Sequence, residues 1–245
     1  MVINTNNLLK EFNENGYVIV RNCISPENLD ACKVSIVKAL KKVYEGDGGY
    51  EEIISDLNRY DKDSLYRFHR NTNELSCWTL IAAELHPVLE SLGGQEAIPK
   101  LFLSGYLLGL ARDKRLTYNF HQESSYMRIK DEMITAHFPL FYPSTRENGT
   151  MSVLKGSHIQ GQLDFEKKRK SLNSYTDLIP VDISSLVEKY EEVYFDLQPG
   201  DCAFFSKYLI HRSNYNSSKY SRPVGVFRYF MNNEDNFEEL TPGAL

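Results

Sequence analysis

The sequence predicts an α+β fold, with helices in its first part and a series of short strands after them. Three observations carry that expectation. Apolar residues recur at steps of three and four as far as Leu92, the period then shortens to two or to continuous apolar runs, and no segment repeats or becomes low in complexity. Helices followed by about seven short strands point to strands arranged as a sandwich or double-sheet barrel.

Residues 5–14 carry Leu8, Leu9 and Phe12 on one helical face, and Gly16 suits the left-handed end of that helix. A short strand follows over Tyr17–Arg21. Ser25 ahead of Pro26 is a capping residue before a first-turn proline, and Leu29, Cys32, Ile36, Leu40 and Val43 continue the helical period. That spacing predicts a helix of about four to five turns. Glu74 to Leu92 repeats the pattern through Leu80, Ile81, Leu85, Val88 and Leu89 and stops at Gly93-Gly94, with Pro87 set to kink it. The strand candidates are then LFLSGYLLGL, RLTYNF, MITAHFPLFY, TMSVL, EVYFDL, CAFF and VGVFRYFM. Turn signals at Arg146-Glu147-Asn148-Gly149, Lys155-Gly156-Ser157 and Gln198-Pro199-Gly200-Asp201 separate them. The polar stretch Gln160 to Asp182 breaks the strand rhythm and is a candidate lid or crossover.

With 245 residues, 42% of them hydrophobic, the chain reads as a single domain over 1–245 that buries a core without disulfides or a structural metal. Its 28 Lys+Arg against 33 Asp+Glu leave a formal charge of −5, so no positive field gathers phosphates and no nucleic-acid partner is expected. No run of ~18 uncharged apolar residues occurs, and the opening MVINTNNLLKEFNENG lacks the basic-then-apolar order of a secretory signal. A cytoplasmic protein without a membrane partner is expected. Cys23, Cys32, Cys77 and Cys202 form no C-x-x-C pair, which argues against a thiolate zinc site and fits a reducing compartment where ferrous iron is available.

His121-Gln122-Glu123 sits at the end of the strand candidate RLTYNF, so side chains at i and i+2 are expected on one face. An imidazole and a carboxylate that converge supply two of three ligands of a facial metal site. His211, just after the apolar run CAFFSKYLI, is placed to be the third. Two histidines and one carboxylate with open positions suit non-haem Fe(II) oxygenases, whose vacant face must hold a cosubstrate and O₂. About 0.8 His-x-Asp/Glu triplets are expected by chance in a chain of this composition, so the triplet alone says little.

Further motifs supply the context. FNENGYVIVRNCISPENLDA, FHQESSY, RENGTMSVLKGSH, LQPGDCAFF and HRSNYNSSKYSRP occur in an order and spacing that resemble the phytanoyl-CoA dioxygenase family of Fe(II)/2-oxoglutarate oxygenases over most of residues 9–231. The resemblance implies a double-stranded β-helix (jelly-roll or cupin-like) barrel with N-terminal helices packed on one sheet. It implies His121, Glu123 and His211 as catalytic iron ligands. Arg222, eleven residues after His211, takes the place of the arginine that clamps the far carboxylate of 2-oxoglutarate, work suited to a planar fork of donors. Ser213 matches a hydroxyl that assists the same carboxylate, and Phe138 an inward-facing aromatic in the cofactor pocket. The implied activity is Fe(II)- and 2-oxoglutarate-dependent hydroxylation of a small-molecule substrate by O₂. The alternatives are a metal-dependent hydrolase or isomerase on the same barrel, or a non-catalytic small-molecule-binding homologue. Glu123 stands where the family usually has Asp, a carboxylate that reaches about 1 Å further. A retained acid argues against halogenation.

Other residues have plainer readings. His158 belongs to a Gly-Ser-His turn and is expected to tie a loop to the sheet. His137 alternates with Phe138 and is expected to face away from the pocket, while His69 and His86 have no partners at ligand spacing. Arg228 reads as a surface arginine ahead of a second anion contact, and Lys167-Lys168-Arg169-Lys170 as a solvated charge run. Tyr126, Arg128 and Tyr142 are candidate pocket walls.

Overall fold

The fold follows from how each strand divides its side chains between two faces. In the computed structural model, which describes residues 5–73, 75–93, 98–115, 117–127, 132–169 and 176–232, α1 (Thr5–Asn15) and β1 (Tyr17–Val20) come first. Four helices follow: α2 (Pro26–Lys41), α3 (Tyr50–Tyr60), α4 (Lys62–Thr72) and α5 (Trp78–Gly93). The remainder holds β2 (Ile98–Gly109), the single-turn α6 (Glu123–Tyr126), β3 (Met133–Pro139), β4 (Met151–Leu154), β5 (Phe165–Arg169) and β6 (Thr176–Pro180). It ends with α7 (Ile183–Lys189), β7 (Glu192–Tyr194), β8 (Cys202–Ser206), β9 (His211–Ser213) and β10 (Arg222–Asn232). Among the described residues no helix is long and apolar enough to cross a membrane.

Local chemistry explains the helical part. Gly16 sits at φ +80°, and a side chain there would meet the His158 ring and Leu209, so only glycine lets α1 turn sharply into β1. The Ser25 side chain accepts a hydrogen bond from the Asn28 amide at 3.3 Å, as its capping position predicts, and α2 buries Leu29, Cys32, Ile36, Ala39 and Leu40. It stops at Lys41, short of Val43. α5 keeps Pro87 inside it but buries Trp78, Ile81, Leu85, Val88, Leu89 and Leu92. Leu80, expected on that face, is 45% exposed. The expected start at Glu74 and the stop at Gly94 lie outside the described residues.

Among the described residues every strand pair is antiparallel. One sheet runs β1-β8-β3-β10-β2, a second runs β7-β4-β9, and β5 and β6 form a hairpin of their own. Cys202 and Phe204 of β8 point into the core beneath the helices, while Ala203 and Phe205 point toward the three-stranded sheet. The helix-side core includes Ile134, Ala136, Phe138, Phe227 and Tyr229. Between the two sheets lie Tyr17, Met151, Val153, Phe195, Leu197, Ala203, Phe205 and Leu209. Two expectations fail here. Gln160 to Asp182, expected to break the strand rhythm, holds β5 and β6, with 170–175 outside the described residues, and RLTYNF forms no strand among the described residues.

Asp201 joins the two ends of one strand pair. It accepts the Asn22 amide at 3.0 Å, the Gln198 amide at 2.8 Å and Arg21 Nη1 at 2.7 Å, which anchors β8 beside β1. Burial alone would raise this carboxyl, but the Gln198 amide, the Arg21 guanidinium and the Asn22 amide outweigh it and hold Asp201 below the usual carboxylate range. The folded value therefore lies below the unfolded value of about 3.9, so the stabilisation is present at neutral pH and is lost as acid takes the pH down through the folded value. Asp201→Asn is expected to lower unfolding free energy by about 1–3 kcal/mol at neutral pH. In denaturant titrations the gap to the parent protein should close as the pH falls below the unfolded value of about 3.9.

Candidate active site

Main-chain pairing brings two distant imidazoles together. The His121 amide donates to the His211 carbonyl at 2.9 Å and the His211 amide returns a bond of 3.0 Å to the His121 carbonyl, so the two residues face each other across one antiparallel bridge. Their rings lie 4.2 Å apart between centroids. His121 Nδ1 bonds the Asn119 carbonyl at 2.6 Å and His211 Nδ1 bonds the Leu209 carbonyl at 2.9 Å. A carbonyl only accepts, so both Nδ1 atoms carry the proton and both Nε2 lone pairs are free. Glu123 reaches the same spot by a different route from the one expected. It shares no strand face with His121; Gln122, extended at φ −110°, turns the chain into α6, and Glu123 is the first residue of that turn.

The ligand atoms of His121, Glu123 and His211 lie within 4.8 Å of one another, and all three residues are buried. Glu123 Oε1 stands 3.6 Å from His211 Nε2. Burial, with the neighbouring His211, pushes His121 down to about 3, so its ring is neutral at physiological pH. Burial would raise Glu123, yet Arg228 and His211 hold it well below the usual carboxylate range. A neutral His121 imidazole and an ionised Glu123 carboxylate are protonation states that suit a divalent metal.

Arg222 comes from the first position of β10. It is buried, its Nε donates to the Asn148 carbonyl at 3.2 Å, and its Nη1 is buried without a partner. Gly109, paired with it across the strands, leaves room: a Cβ there would lie 3.3 Å from Nη2. Burial lowers this guanidinium to about 10, which leaves it charged at neutral pH. Ser213 stands two residues beyond His211 on β9, on the same strand face.

Phe138 and His137 reverse the expected parity. Phe138 is fully buried on the helix side, edge-on to Phe227 at 5.1 Å and pressed over Gly225, where any side chain would collide with its ring. His137 therefore takes the other face, opposite Ala203 and Val226. It is buried with Nε2 unpartnered and is pushed down to about 3 by burial, Arg222, His211 and Arg228.

Arg228, expected to be a surface arginine, is the largest correction to the sequence reading. Its side chain is only 16% exposed and grips Glu123 with Nε on Oε2 at 2.8 Å and Nη2 on Oε1 at 3.1 Å. The signal was its even spacing from Arg222, which puts both on one face of β10. Gln122 was missed too: it donates to the Gly161 and Tyr208 carbonyls and accepts the Leu163 amide, stitching the site to the segment before β5. Tyr126 stands edge-on to His121 at 5.3 Å, and its hydroxyl bonds the Thr176 carbonyl and the Leu178 amide, both at 3.1 Å. Tyr142 stacks on Tyr220. Arg128 lies outside the described residues. His158 ties its turn to the Asn13 carbonyl near the end of α1, and not to the sheet. His86 pairs with Glu90 on α5 and His69 packs on Tyr106. Glu166, Lys167 and Lys168 are exposed, as a solvated run requires, and Lys170 lies outside the described residues.

The sequence profile of the phytanoyl-CoA dioxygenase (PhyH) family matches residues 12–224. The chain belongs to the phytanoyl-CoA dioxygenase family. That family membership makes it a non-haem iron and 2-oxoglutarate-dependent oxygenase, and the buried His-Glu-His set suits the iron. Solved structures share the fold at low identity. SnoK, a non-haem α-ketoglutarate-dependent carbocyclase from nogalamycin biosynthesis, is 17% identical with a TM-score of 0.63, covering 92% of this chain and 83% of that one. The epimerase SnoN, solved in complex with Fe3+, α-ketoglutarate and nogalamycin RO, is 15% identical with a TM-score of 0.63 over 98% of this chain and 93% of that one. EctD from S. alaskensis, solved with bound Fe, is 17% identical with a TM-score of 0.62 over 92% and 76%.

The placement of Phe138 in this phytanoyl-CoA dioxygenase family member yields a direct check. Phe138→Leu is expected to cost about 1–3 kcal/mol of stability in urea unfolding through lost core packing. Titration of the folded variant with 2-oxoglutarate should give the parent affinity, since the ring lies on the sheet face away from His137 and Arg228.

Proposed function

We propose that this chain is a hydroxylase built on a double-stranded β-helix, a single domain over 1–245 in which His121, Glu123 and His211 hold Fe(II) and Arg222 with Ser213 holds the far carboxylate of 2-oxoglutarate. The observation that carries the reading is the unpartnered Nη1 of the buried Arg222. A buried cationic donor left without an acceptor is costly, and a carboxylate arriving in the site satisfies both its charge and its hydrogen bond. A zinc hydrolase on the same ligands has no use for that group. The two facing antiparallel sheets, with α2 to α5 over one of them and α7 packed near Leu154 of the other, support the barrel.

When bound, iron and 2-oxoglutarate supply oxidation of a substrate C–H bond by O₂, coupled to cleavage of the cosubstrate to succinate and CO₂. The protein's own residues do the rest. The carbonyls of Asn119 and Leu209 orient the two imidazoles, and Asn148 aims Arg222. His137, neutral and buried beside Arg222, adds a polar atom to the wall without adding charge. Hydroxylation of a small molecule is the outcome we assign, in a cytoplasmic setting supported by four free thiols. Fe(II)-dependent succinate release tests the reading. Arg222→Lys keeps charge but loses the fork, so 2-oxoglutarate affinity should fall by about 1.5–3 kcal/mol with metal binding unchanged.

We further propose that residues 160–182 act as a lid over this site. The support is the attachment of β6 to Tyr126, which itself touches His121, with Leu178 and Ile179 buried beneath. Tyr126→Phe removes the hydroxyl that the Leu178 amide bonds. Hydrogen exchange at Leu178 should then speed up about fivefold, the worth of one net hydrogen bond, and 2-oxoglutarate with substrate should slow exchange across β5 and β6 in the parent protein.

A further inference from the structure

We propose that Arg228 is a positioning residue for the metal carboxylate: its guanidinium fork fixes Glu123 so that Oε1 is presented to the two imidazoles while Oε2 is held away from them. The inference rests on the reading that His121, Glu123 and His211 hold the metal. Nε takes Oε2 at 2.8 Å and Nη2 touches Oε1 at 3.1 Å, while Oε1 also stands 3.6 Å from His211 Nε2. A carboxylate oxygen has two lone pairs, so Oε1 accepts from Arg228 and keeps one pair for a metal, whereas Oε2 is turned to the arginine. The carboxylate is thereby set to bind through one oxygen and leave the neighbouring positions of a metal open.

The backbone supports that role. Arg228 follows Arg222 by six residues on β10, so the strand that carries the candidate cosubstrate clamp also carries the carboxylate holder on the same face. The register between β10 and β2 shifts between Arg228, paired with Leu103, and Tyr229, paired with Leu101. The extra residue, Phe102, lies on β2, while β10 keeps its regular register with β3, Arg228 opposite Thr135 and Tyr229 opposite Ile134, so the face that Arg228 shares with Arg222 is held from that side. The fork also gives the longer acid a reason. Glu123 has one more rotatable bond than aspartate, hence more freedom to lose on binding, and Arg228 removes that freedom beforehand. An aspartate at the same place would draw its carboxylate back from the fork by about 1 Å. Glu123 and Arg228 thus act as a matched pair.

Titration of the metal-free protein with Co(II), followed by visible absorption, tests this without turnover. The parent protein should bind and His121→Ala should not. Arg228→Gln and Arg228→Lys should each bind about 10–100-fold more weakly, the usual loss when a partner of a metal ligand is removed, and with an altered ligand-field spectrum. The Lys variant retains charge and serves if the Gln variant does not fold. In a Glu123→Asp background, Arg228→Gln should cost less than about threefold, because the fork no longer reaches. Parent affinity and spectrum in the Arg228 variants, with His121→Ala still inactive toward Co(II), would overturn the positioning role, as would a full additional loss in the Asp background. Equal binding by the parent and His121→Ala would instead sink the metal-site reading itself.

Discussion

Two backbone hydrogen bonds between His121 and His211 are the constraint on which the site depends. In an antiparallel pair, residues that exchange both bonds stand directly opposite with their side chains on one face, so the separation of the imidazoles is set by main-chain geometry before any metal arrives. Glu123 inherits its place from the same bridge, because α6 starts two residues beyond it. The Ser124 amide, bonded to the Lys207 carbonyl at 3.1 Å, keeps that turn from swinging. The donor set is therefore a product of strand pairing, with side-chain freedom reduced to the last torsions of each residue.

The five-stranded sheet divides its labour between its faces. One face is apolar and is sealed by α2 to α5; the other carries His137, Arg222 and Arg228. Charges buried on that second face are expensive unless paired, and each is handled differently. Arg228 is matched by Glu123, His137 gives up its proton and stays neutral, and Arg222 keeps one donor unspent. Under the proposed clamp role of Arg222, stability and function compete there, since an arginine satisfied within the protein has no hydrogen bond left to offer a cosubstrate.

The surroundings couple the donor set to the rest of the chain. Asn119 bonds His121 through its carbonyl and Asp177 of β6 through its side-chain amide at 2.6 Å. Gln122, lying between two members of the donor set, holds the chain at Gly161 and Leu163. The hairpin is thus tied to His121 through hydrogen bonds and not only through packing.

Much of this was determined by the sequence alone. The Ser25-Pro26 start of α2, the change of period before β2, and the ordered motifs around His121, His211 and Arg222 all depend on residues near one another in the chain. α3 and α4 were missed although the signal was local: Tyr50, Ile53, Ile54 and Leu57 stand at helical spacing and form the buried face of α3, and Leu65 and Phe68 do the same for α4, but the charged residues between them obscured the stripe. The parity of Phe138 was misread for a different reason. Alternation says that His137 and Phe138 face opposite ways, but which of them meets the site is decided by pairing with β8 and β10. Arg228 was the hardest to see, since its partner Glu123 is 105 residues away in the chain. Local period and spacing fix which residues share a face; only the docking of distant strands decides what that face looks at.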